Sequence, residues 1–88
     1  MFTTSRYSSE ETRRRAGLIA KENKEPYLAR GKKTIDSLVE EARRRGESVL
    51  NIIEERKGEA AIVSTIKIDE MGRWAWAARW RAVRRVWK

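Results

Sequence analysis

Apolar and polar positions along the chain change period several times, and each change marks an element. Phe2-Thr3-Thr4 is short and β-prone. Behind it, Ser8 and Glu11 stand at the spacing of a capping box, in which the serine caps the amide of Glu11 and the glutamate reaches back. The helix predicted from there carries Thr12, Ala16, Ile19 and Ala20 at helical spacing, a narrow stripe weakened by Gly17. It is expected to end before Pro26, because a proline disfavours helical geometry in the residue ahead of it. Tyr27-Leu28-Ala29 reads as a short strand, and Arg30-Gly31-Lys32-Lys33 as a basic loop leading to Thr34, a good N-cap. From Ile35 the apolar residues Ile35, Leu38, Val39 and Ala42 fall at i, i+3, i+4 and i+7, with Asp36 near the positive end of the helix and Arg43, Arg44 and Arg45 near the negative end. Gly46 closes that helix in the left-handed position.

Val49-Leu50-Asn51-Ile52-Ile53 is nearly continuous in apolar character and reads as a central strand covered on both faces. Lys57-Gly58 supplies a turn. The next strand, Ala61 to Ile68, alternates, with Ile62, Ile66 and Ile68 inward and Val63, Thr65 and Lys67 on the other face, so the two strands pair as a hairpin. Asp69-Glu70-Met71-Gly72 makes a second turn. The tail after it fits two periods. As a strand it sets Trp74, Trp76, Ala78, Trp80 and Ala82 in one row with Arg73, Arg79 and Arg81 opposite; as a helix it aligns Trp76, Trp80, Val83 and Trp87. The strand through about Arg81 is preferred, because a tight turn precedes it and tryptophan favours strands. The predicted fold is α+β, in the order β-α-β-α-β-β-β, with one mixed sheet and two helices.

Composition narrows what such a fold can do. A domain of 88 residues removes only about 60% of its unfolded surface from water, so the core is thin. Without cysteine there is no disulfide framework or thiolate metal site, and without histidine the commonest metal ligand and general base is missing. No metal or cofactor is expected. No stretch approaches the roughly 20 apolar residues that span a bilayer, and Met1-Phe2-Thr3-Thr4-Ser5 lacks the regions of a signal peptide, which predicts a cytoplasmic protein. The charged fraction of 39%, the absence of glutamine and the presence of only Asn23 and Asn51 form a pattern typical of proteins from high-temperature organisms.

The net charge of +8 is what a protein that meets a polyanion carries. It is uneven: no acidic residue follows Glu70, whereas Arg73, Arg79, Arg81, Arg84, Arg85 and Lys88 do. The Arg30-Gly31-Lys32-Lys33 loop precedes a helix N-terminus, where free amides and the helix dipole favour an anion and Gly31 permits close approach. It reads equally as a solvated loop. Arg6 joins the same patch if its neighbouring strands are parallel. Arg13-Arg14-Arg15 and Arg43-Arg44-Arg45 form no patch of their own, since consecutive helical residues point apart. The tryptophans suit either base stacking or, preferably, burial in the core or in a homodimer, because a row of exposed indoles is more than a soluble monomer normally tolerates. The pairs Glu10-Glu11, Glu40-Glu41 and Glu54-Glu55 do not share a site, and no nucleotide loop or nucleophile-base arrangement is present. Binding is expected, not catalysis.

In this order the segments resemble a Brix domain. The opening Thr3-Thr4-Ser5-Arg6, with Ser9 and Thr12-Arg13 behind it, is similar to the start of archaeal Brix proteins, as is Arg30-Gly31-Lys32-Lys33 leading into a helix rich in Leu, Glu and Ala. The apolar strand with Glu55-Arg56-Lys57-Gly58, and Trp74-Ala75-Trp76 after it, look like the family's later strands. The resemblance covers almost the whole chain but only the amino-terminal half of the family's domain, which is built from two similar anticodon-binding-like halves. It implies RNA binding in ribosome biogenesis, with ribosomal RNA or a pre-ribosomal particle as partner, no small-molecule substrate and no membrane. Phosphates would meet Arg6, Arg30, Gly31, Lys32, Lys33 and the tail residues Arg73, Arg79, Arg81, Arg84 and Arg85, while Trp74, Trp76 and Trp80 would face a second copy or a second half-domain chain. A small basic DNA-binding protein of the chromatin type and a protein-only assembly module are the alternatives.

Overall fold

The computed structural model describes residues 1–56 and 59–81. Phe2–Thr4 forms strand β1 and lies parallel to β2 (Val49–Arg56), with Phe2, Thr3 and Thr4 opposite Asn51, Ile52 and Ile53. A parallel pair needs a long crossover, and this one carries both helices, α1 (Glu10–Glu22) and α2 (Ile35–Arg44). The antiparallel strands β3 (Glu59–Ile68) and β4 (Trp74–Arg81) complete a mixed sheet in the order β1-β2-β3-β4. The Lys57-Gly58 turn and the end of the tail, residues 82–88, lie outside the described residues.

The two helices cover opposite faces. Leu38, Val39 and Ala42 of α2 pack on Met1, Leu50, Ile52, Ile66 and Ile68, with Leu28, Ile35 and Trp74 at the margin. Ala16, Ile19 and Ala20 of α1 pack on Phe2, Ile53 and Val63, with Tyr27 beside them. This is why β2 lacks simple alternation: Leu50 and Ile52 serve one helix and Ile53 the other. The strand expected at Tyr27-Leu28-Ala29 reduces to a single parallel bridge, Tyr27 opposite Phe2. There the Phe2 amide donates to the Pro26 carbonyl (2.9 Å) and the Leu28 amide to the Phe2 carbonyl (2.8 Å). Among the described residues no helix is long and apolar enough to cross a membrane.

Helix ends follow local chemistry with one correction. The N-cap of α1 is Ser9, not Ser8: its hydroxyl accepts from the Thr12 amide (3.2 Å). The reciprocal carboxylate is Glu55 of β2, which accepts from the Ser9 amide at 2.7 Å. Glu11 instead pairs with Arg14 and Arg15, and the buried Ser8 hydroxyl bonds to that of Thr4 (3.1 Å). Thr34 caps α2 as expected, accepting from the Ser37 amide (3.2 Å), and Gly46 beyond its end has φ +77°.

Candidate nucleic-acid interface

The bridge at Tyr27 sends the chain upward beside β1, so the loop after it arrives level with the end of that strand. Arg30, only 6% exposed, fastens it there. Its Nη1 donates to the Thr4 carbonyl (3.0 Å) and its Nε to the Lys33 carbonyl (2.7 Å). The Lys33 amide donates back to the Arg30 carbonyl (3.1 Å), closing a turn in which Gly31 takes φ +54°, a left-handed backbone that favours glycine. Arg6, just past β1, donates from Nη2 to the Lys32 carbonyl (3.5 Å), and its guanidinium lies 5.8 Å from the Tyr7 ring centre. The parallel pairing of β1 and β2 thus brings Arg6 into one corner with Arg30, Lys32 and Lys33.

The electrostatics of this corner are unbalanced. Arg6, Lys32 and Lys33 are exposed, and the Lys33 ammonium donates to the Ala29 carbonyl (3.2 Å). Burial first, and then Arg6, push the Arg30 guanidinium below its ordinary pKa. None of the four has a carboxylate partner among the described residues, whereas Arg14 and Arg15 share Glu11, Arg44 and Arg45 share Glu41, Arg73 has Asp69 and Arg79 has Glu54. Four neighbouring like charges raise the local potential, which an anion would lower. Arg30, expected to face solvent as a phosphate contact, is a buried tether that shapes the loop, and the groups exposed at this corner are Arg6, Gly31, Lys32 and Lys33.

The tail residues divide. Arg73 sits in the Asp69–Gly72 turn region, at the opposite end of the sheet from this corner. Arg79 and the backbone of Arg81 lie at the same end as Arg6, three strand spacings away, roughly 14 Å. Arg84 and Arg85 lie outside the described residues.

The backbone register does not keep positions 74, 76 and 80 in one alternating row. Trp74 and Trp76 stand opposite Ile68 and Ile66 on the α2 face, but Thr65 is opposite Ala78, so Ala77 is an extra residue, a β-bulge. One inserted residue exchanges the faces that follow: position 80 aligns with Val63 of the α1 face, and Arg79 comes onto the face of Trp76. Trp74 is half-buried against the core, donating Nε1 to Asp36 Oδ1 (3.0 Å), and the Trp76 ring meets it edge-on at 5.8 Å. Trp76 itself is 54% exposed. Beside it a shallow groove is lined by Glu54, Ser64, Ala77, Ala78 and Arg79. Glu54 accepts from the Ser64 hydroxyl and, at 3.4 Å, from Arg79 Nη2. Sequence reasoning missed Asp36 and Glu54 as partners of the aromatic strand, because both depend on strand register.

The cationic corner thus sits at the end of a four-stranded mixed sheet with one helix on each face, an α+β domain. No family model and no curated protein matches the sequence. Solved structures share its fold, among them these two. Mil, an archaeal Imp4-like protein, superposes with a TM-score of 0.68 at 29% identity, over 83% of this chain and 45% of its own. A probable ribosomal biogenesis protein from Aeropyrum pernix K1 superposes with a TM-score of 0.74 at 22% identity, over 89% of this chain and 44% of its own. The chain is Brix-like, as its motifs indicated, and it spans less than half the length of either neighbour.

Proposed function

We propose that this chain is an RNA-binding protein that acts in ribosome biogenesis, in the cytoplasm, as a homodimer or with a protein partner. It works by binding, with no catalytic step and no cofactor. The observation that carries the reading is the corner of Arg6, Arg30, Lys32 and Lys33, four clustered cations with no carboxylate partner among the described residues. Phosphates answer that charge directly, and binding driven by it is salt-sensitive. The role in ribosome assembly is supported by the neighbour described as a ribosomal biogenesis protein, and the cargo is accordingly ribosomal RNA or a particle that contains it.

A competition experiment tests RNA against DNA. With a labelled, structured ribosomal RNA fragment bound at fixed salt, unlabelled RNA of the same kind displaces it at a concentration about tenfold or more below that of duplex DNA, a difference of about 1.4 kcal/mol. Equal displacement by the two would favour a DNA-binding protein of the chromatin type. Absence of any salt-dependent RNA shift would favour a protein-only assembly module.

A further inference from the structure

We infer that Tyr7 is a stacking platform for an unpaired RNA base whose phosphate lies among Arg6, Lys32 and Lys33. This deepens the RNA reading above, on which it rests. Tyr7 follows Arg6 in the turn between β1 and α1, and its side chain is 82% exposed. Its backbone takes φ +59°, a left-handed conformation that is an outlier for a bulky side chain. A glycine or an asparagine would make the same turn with less strain, and the ring belongs to neither core cluster. Neither the turn nor burial therefore accounts for an aromatic residue at this position.

Three observations select a base as what the ring takes. The Arg6 guanidinium lies 5.8 Å from the ring centre and also donates to the Lys32 carbonyl at 3.5 Å, so one side chain ties the ring to the Arg30-Gly31-Lys32-Lys33 loop. A nucleotide whose phosphate meets the two lysines has its base within reach of Tyr7. Secondly, Arg6, Lys32, Lys33 and the buried Arg30 have no carboxylate partner among the described residues, so the ring stands in a field that attracts phosphate. An aromatic face beside cations that hold a backbone is the composition of a single-strand site. Thirdly, the exposed Trp76 offers a contrast, because Glu54 shares its face and is already paired with Arg79 at 3.4 Å. A carboxylate there repels the phosphates that flank a base; Tyr7 has no such neighbour among the ion pairs described. The base must be unpaired, since one inside a helix is stacked on both faces and offers none to the ring.

Fluorescence-anisotropy titrations test it with three probes of matched length: a single-stranded RNA, the same strand carrying abasic sites, and a fully paired RNA duplex. Tyr7→Asn removes the ring with a residue that tolerates the left-handed backbone, Tyr7→Phe keeps the ring, and circular dichroism verifies that both are folded. Tyr7→Asn is expected to bind the single strand about fivefold or more weakly than the native chain, as the loss of one base stack requires. Tyr7→Phe binds it as the native chain does. The slope of log affinity against log salt is the same for Tyr7→Asn and the native chain, because the ring meets no phosphate. The abasic strand and the duplex do not distinguish the two proteins. A single strand held equally by Tyr7→Asn and the native chain overturns the platform and leaves the RNA reading in place. So does an equal loss on the abasic strand or the duplex, or a loss in Tyr7→Phe as large as in Tyr7→Asn, which assigns the contact to the hydroxyl. A native chain that binds none of the three probes overturns both readings.

Discussion

The Glu55 carboxylate closes the start of α1 from a strand 46 residues along the chain, by accepting from the Ser9 amide. That bond, helped by the Thr12 and Ser9 hydroxyls and by Arg13, holds its pKa below the ordinary glutamate value. A carboxyl whose folded pKa is depressed adds stability that is complete above its unfolded pKa and is lost as pH falls through the folded one. Glu55→Gln is therefore expected to melt below the native protein at neutral pH, with the gap closing as the pH is lowered beneath the ordinary glutamate range. Thermal melts of both proteins from pH 7 to pH 3 check this, and a gap independent of pH would contradict it. The cap was half legible in the sequence. The serines announced a helix start, but Glu11 at capping-box spacing is claimed by Arg14 and Arg15, and the residue that replaces it is brought by tertiary pairing that no local spacing encodes. Arg30 shows the same limit: its basic loop was visible, but its burial follows from the bridge at Tyr27, which lays the loop on Thr4.

At the level of elements, α2 was the most legible, because its apolar stripe, its threonine cap and its closing glycine all agree. Its C-terminal end also shapes the turn into β4. Gly72 has φ +86°, and a Cβ there would lie 2.5 Å from the Arg43 guanidinium. That guanidinium is the end of a flexible side chain and can move, so the cost of Gly72→Ala falls on the backbone. It is expected to destabilise the protein by about 1 kcal/mol or somewhat more. Urea unfolding measures the loss, and the same loss persists in an Arg43→Ala background. Full recovery there would show that crowding, not backbone conformation, set the cost. β4 was legible only in part. Its period of two held for Trp74 and Trp76, and then Ala77 broke it, since a bulge is defined by the partner strand and leaves no mark in the sequence of its own strand. That single residue separates Trp80 in register from the other two tryptophans and moves Arg79 beside Trp76.

For the whole molecule, the order of the two helices and of the four strands was legible apart from the strand expected at Tyr27-Leu28-Ala29, and the Brix likeness lay in the resemblance of its motifs. The distribution of charge was not legible, because pairing is a matter of distance in space. Among the described residues, Arg14 and Arg15 on α1, Arg44 on α2 and Arg79 on β4 each lie within reach of a glutamate. Where β1 ends, Arg6, Lys32 and Lys33, with Arg30 underneath, form a cluster of cations that has no carboxylate partner among the described residues. The most direct test is the salt dependence of binding to a structured ribosomal RNA fragment, for the native chain and for the Lys32→Ala, Lys33→Ala double variant. Each phosphate contact adds about 0.7–0.9 to the slope of log affinity against log salt, so the double variant is expected to bind more weakly with a slope shallower by about 1.5. An unchanged slope and affinity would mean that phosphate does not bind at this corner.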